Sequence, residues 1–144
     1  MSPRTAANMT DHRVLIILLR VGGVLACTAI IASVMPTTWI AATHRWLGLG
    51  DFPDAPITQY LARSLSAFYA MHGALALFLS RDVVRFAPVI RCWGAMLMAM
   101  GCVLLATDLS AGLPIWWTIA EAPFALVFGA ALVWLAGGLD STAA

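Results

Sequence analysis

Four apolar stretches, about Val14–Met35, Ile57–Ser80, Ala87–Leu109 and Pro114–Gly138, constrain this chain more than any other feature. Each holds 22 to 25 residues. About 20 apolar residues at about 1.5 Å rise cross a hydrocarbon core of about 30 Å. Between them lie turn and interface residues: Pro36, residues 48–56, residues 80–85 and residues 110–114. The stretches predict four transmembrane helices. Composition agrees, because 62% of the 144 residues are hydrophobic and 10% charged. A soluble domain this small buries too little of its surface to hide that much apolar side chain. One all-α domain is expected, an integral membrane four-helix bundle, with the lipid bilayer as its first partner.

The formal net charge of +1 offers no field for nucleic acid. Cys27, Cys92 and Cys102 lie inside apolar runs and form no C-x-x-C pair, so they read as small hydrophobes. Arg20 cuts the apolar run before Cys27 to six residues, too short for a cleaved signal core. Residues 1–13 read as a disordered tail, and Met9 is a second candidate start.

Arginine placement sets the orientation. Arg4 and Arg13 precede the first span, Arg81 and Arg85 lie between the second and third, and Arg91 lies just inside the third. The other side carries Arg45 and Arg63 with Asp51, Asp54 and Asp108. Both termini are expected in the cytoplasm. The first outer loop reads as a short interfacial helix over about residues 36–47, with Pro36 at its start. Trp39, Ala42, Thr43 and Trp46 share one face, as in a helix lying on a membrane surface.

Close packing in lipid depends on small residues. Rows of them occur at Gly22, Ala26, Ala29 and Ser33; at Ala67, Ala70 and Ala74; at Gly94 and Gly101; and at Ala122, Ala125, Gly129 and Ala136. Their near-heptad spacing predicts a left-handed bundle.

Charges inside a membrane need a partner or a purpose. Arg63, Asp108 and Glu121 fall at similar depth in the outer half, on or beside the small-residue rows. They are expected to form a buried charge cluster, either fixing helix register or serving a substrate, ion or proton. His72, with Tyr69 one turn before it, lies near mid-span and reads as a hydrogen-bonded histidine rather than a haem ligand. Trp116 and Trp117 mark the outer boundary and, with Tyr60, form a candidate pocket rim. The chain has no phosphate loop, no H-E-x-x-H, no G-x-S-x-G and no metal-ligand cluster. No catalytic residue, cofactor or metal is implied.

Three segments, Tyr60–Gly73 (YLARSLSAFYAMHG), Ile90–Gly94 (IRCWG) and Asp108–Glu121 (DLSAGLPIWWTIAE), resemble a family of small four-helix bacterial membrane proteins common among planctomycetes. The resemblance covers about residues 35–123. It implies the bacterial cytoplasmic (inner) membrane and carries no activity with it. The architecture is also similar to DoxX-type proteins. The leading expectation is a non-enzymatic accessory or assembly component with a homo-oligomeric or membrane-protein partner. The alternatives are a small oligomeric transporter or channel using Glu121 and Arg63, and a lipid- or quinone-binding redox accessory.

Overall fold

The computed structural model describes residues 3–140 and is helical throughout its regular structure. The order is α1 (Pro3–Cys27), α2 (Ile30–Val34), α3 (Thr37–Trp46), α4 (Pro56–Leu79), α5 (Ala87–Ala111) and α6 (Ile115–Asp140). Three stretches, Thr10–Val34, Ala87–Ala111 and Ile115–Leu139, are long and apolar enough to cross a membrane. The chain is therefore a helical protein with three candidate membrane-spanning segments. α4 has the length, at 24 residues, but Gln59, Arg63, Ser64, Ser66 and His72 dilute its apolar character.

Two expectations are revised. α1 begins at Pro3, so helix occupies residues 3–13 where a disordered tail is expected. Pro3 suits a first helical turn, and Ala6 and Ala7 are strong helix formers. The first span is also interrupted. Thr28 and Ala29 form a turn between α1 and α2, and the Thr28 hydroxyl donates to the Leu25 carbonyl at 2.6 Å. A hydroxyl bonding back on the preceding turn competes with the helical ladder. The amides of Ala29, Ile31 and Ala32 accordingly donate three residues back rather than four.

The chain divides into two compact units, Leu19–Phe78 and Met1–Leu18 with Leu79–Ala144. In the first, the α1–α2 segment runs antiparallel to α4. Gly23 meets Gly73, Cys27 meets Ala70, and Ser33 meets Arg63, so the register holds along the pair. A Cβ on Gly73 would lie 2.6 Å from the Gly23 carbonyl oxygen and from the Cys27 amide nitrogen. The contact row on α1 is therefore Gly23–Cys27, one position along from the expected Gly22–Ala26. α3 follows as the short helix expected of the first loop, with Pro36 at its N-cap. It ends where Gly48 turns left-handed at φ 72°, which frees the Leu49 amide to donate to the His44 carbonyl.

In the second unit α5 and α6 pack as an antiparallel hairpin. The small-residue rows expected on both helices meet. A Cβ on Gly94 would lie 2.7 Å from the Gly129 carbonyl oxygen, and Gly101 faces Leu126. Leu132, which interrupts the α6 row between Gly129 and Ala136, fits over Gly94 and is fully buried. Val83, Ile90, Leu132, Leu135 and Ala136 are buried at the end nearer the α4–α5 turn, and Ala122 is buried toward the other end. Elsewhere α6 presents large apolar side chains outward, such as Val127 at 69% and Trp134 at 73% exposure. Such faces are at home against lipid and foreign to a water-soluble surface.

Candidate functional site

Arg63 anchors the most developed polar arrangement in the Leu19–Phe78 unit. Its Nη1 donates to the Ser33 carbonyl at 2.8 Å, while the Ser33 hydroxyl donates to the Arg63 carbonyl at 3.1 Å. These reciprocal bonds fall where α2 ends, and they satisfy a carbonyl that has no partner within its own helix. Arg63 Nη2 donates to Thr37 Oγ1 at 3.4 Å, at the first residue of α3. Thr37 donates to Gln59 Oε1 at 3.2 Å, and Gln59 Nε2 donates to Asp54 Oδ1 at 3.4 Å. A one-way chain of donors thus runs from the guanidinium through Thr37 and Gln59 to a carboxylate. Each bond polarises the next in the same sense. The chain ties the start of α3 and the loop before α4 to α4 itself.

Beside this chain lies a shallow groove of about 320 Å³, lined by Thr37, Thr38, Ala41, Phe52, Asp54 and Gln59. Its loop wall is fixed by His44. The His44 Nδ1 hydrogen-bonds the Gly50 carbonyl at 3.0 Å, and the ring meets Phe52 edge-on at 5.5 Å between centroids. A carbonyl can only accept, so Nδ1 carries the proton. On α3 the expected interfacial face is open. Trp39 is 65% and Trp46 83% exposed, with Ala42 and Thr43 exposed between them.

Asp108 and Glu121 belong to the other unit. Asp108 lies in the last turn of α5 and is 3% exposed, and its Oδ2 has no hydrogen-bond partner among the described residues. The hairpin register of Gly94 and Gly101 carries on by seven residues to Asp108. That places it opposite the first turns of α6, where Thr118 and Ala122 are buried. Glu121 is half-buried, and its Oε2 accepts from Trp117 Nε1 at 2.7 Å. Trp117 in turn packs edge-on against Trp116 at 5.5 Å.

The remaining candidates lie on α4. Tyr60 is 65% exposed near its start. His72 Nδ1 donates to the Phe68 carbonyl one turn earlier at 2.8 Å, so His72 is a hydrogen-bonded histidine on an exposed face. Tyr69 is 41% exposed. Among the described residues no group of His, Cys, Asp and Glu is placed to hold a metal ion. No family model, curated protein or solved structure matches the chain.

Sequence reasoning singled out Arg63 but missed Ser33, Thr37, Gln59 and Asp54 as the groups around it. The signal was present. Gln59 and Arg63 are four apart on one helix, and so share a face. Ser33 and Thr37 flank Pro36, where the first long helical stretch must stop and expose its carbonyls.

Proposed function

We propose that the chain is a multi-pass protein of the bacterial cytoplasmic membrane, a left-handed four-helix bundle acting as a non-enzymatic accessory or assembly component. In this reading α4 also crosses, as the second span in chain order, and both termini lie in the cytoplasm. The observation that carries it is the bonding of Arg63. The most costly side chain in α4 is engaged with the end of α2 and the start of α3, a tie that holds elements together. Glu121 is held in a similar way by Trp117 on its own helix. The outward apolar side chains of α6 suit lipid or a second membrane helix.

A small oligomeric transporter or channel is the second reading. The buried Asp108 oxygen, without a partner among the described residues, favours it, because intramembrane carboxylates mark ion and proton pathways. Native mass spectrometry in mild detergent separates the two when paired with flux measurements in proteoliposomes. The accessory reading expects a complex of fixed stoichiometry, with itself or another membrane protein, and no flux above empty vesicles. Flux that is lost on replacing Asp108 by Asn would overturn it.

A further inference from the structure

The turn leading into α5 sets three arginines outside a line of buried apolar residues. Asp82 Oδ1 accepts from the Arg85 amide at 3.1 Å, and the Asp82 carbonyl accepts from the Phe86 amide at 3.0 Å. Residues 83–86 therefore wind in the helical sense behind a capping aspartate and run on into α5. The winding sorts the side chains. Val83, Ala87, Ile90 and Gly94 follow at intervals of four, three and four, and all are buried. Arg81, Arg85 and Arg91 lie off this line and are exposed. Asp82 is the one carboxylate between Asp54 and Asp108 in the sequence, and the Arg85 amide engages it. Three arginines against one carboxylate leave the turn net positive.

We propose that this turn binds an anionic phospholipid, its phosphate held by Arg85 and Arg81 and its acyl chains lying along Val84 and Val89. The Arg85 guanidinium stands over the Phe86 ring, 5.6 Å from its centroid. That contact uses no hydrogen-bond acceptor, so the planar fork that fits two phosphate oxygens stays available. Depth identifies the ligand. α5 has 25 residues and is apolar enough to cross a membrane. At about 1.5 Å per residue it spans about 37 Å, more than a hydrocarbon core of about 30 Å. Its first turn, with Arg91, and the turn before it therefore stand at headgroup level, where lipid phosphates are. Val84 and Val89 are exposed beside the arginines and give acyl chains an apolar surface to follow. A net-negative headgroup meets the net-positive turn, whereas a zwitterionic one brings an ammonium that the arginines repel. The site rests on the membrane reading, whichever side the turn faces, and not on the accessory role.

The test is native mass spectrometry of the delipidated protein in detergent, titrated with phosphatidylglycerol, phosphatidylethanolamine and phosphatidylcholine of identical acyl chains. Retention of phosphatidylglycerol should exceed that of the other two by about tenfold, the scale of one to two arginines acting on an anionic headgroup. Arg85→Gln should lose most of that preference and Arg81→Gln part of it. Both should melt as the wild type does, because their side chains face outward. Arg45→Gln removes the same charge from an exposed position on α3 and should keep the preference. Equal retention of the three lipids by the wild type overturns the proposal. So does an equal loss in Arg45→Gln and Arg85→Gln, which would make the effect one of net charge. Displacement of the lipid by equimolar free glycerol phosphate would make the ligand a soluble anion and overturn the lipid assignment. Recovery of the chain in carbonate-washed membranes tests the membrane reading separately.

Discussion

Single residues in this chain are judged by what an added or deleted atom would meet. At Gly73 a new methyl group would run into the backbone of Gly23 and Cys27 rather than into a movable side chain. Gly73→Ala should therefore force the helices apart and lower the melting temperature in detergent, a cost of about 1–3 kcal/mol. Gly137, also helical, has nothing within 4 Å of the same methyl position. Gly137→Ala should leave the melting temperature unchanged or raise it, by up to about 1 kcal/mol of helix propensity. Equal effects of the two changes would mean that Gly23 and Gly73 are not in contact. Asp108 poses the opposite question. A buried acceptor with no donor is a liability, and replacing it with a side chain that needs none removes the desolvation cost. Asp108→Leu should raise stability by about 1–3 kcal/mol, read as a higher melting temperature. A fall of that size would show that the carboxylate has a partner in the membrane.

Among the elements, the two ends of α3 show how loop chemistry places a helix. Its start is held by the donor chain from Arg63 to Asp54, and its end by the left-handed Gly48. Thr37→Val deletes the hydroxyl that links Arg63 to Gln59 and should cost about 1 kcal/mol. Its signature would be earlier proteolytic cleavage in the loop before α4, with the rest of the chain intact. Variants retaining Trp39 and Trp46 as the only tryptophans should be quenched more by lipids brominated near the headgroup than by lipids brominated near the chain ends. Stronger quenching by the deep bromines would remove α3 from the membrane surface. This helix was legible in the sequence because Pro36, Gly48 and the Trp39–Trp46 spacing are local signals. The α5–α6 seam was legible too, since Gly94, Gly101 and Gly129 sit at helical intervals with few competitors. The Gly23–Cys27 row was misplaced by one residue because Gly22 and Gly23 are adjacent, and composition cannot say which one faces α4. The break at Thr28 was invisible to hydropathy, since an apolar run reads the same through a turn. Arg63 stood out as a costly charge, but its actual neighbours are short polar side chains that hydropathy averages away.

For the molecule as a whole, the proposed four-span bundle requires α4 to cross the membrane, although its composition is the least suited to it. Three helices meet the length and hydropathy expected of a span, while α4 carries Arg63 and His72 along with Gln59, Ser64 and Ser66. The groups that bond to Arg63 would lower the cost of carrying it across. If α4 crosses, the loop after α3 and the turn after α4 lie on opposite sides, and the arginines at positions 81 and 85 face the cytoplasm. The most direct measurement is alkaline phosphatase fused in turn after Leu49 and after Arg85, assayed in intact bacteria. A membrane-crossing α4 gives an active enzyme at the first position and an inactive one at the second. Equal activity at both would leave α4 on one side of the membrane and contradict the four-span bundle.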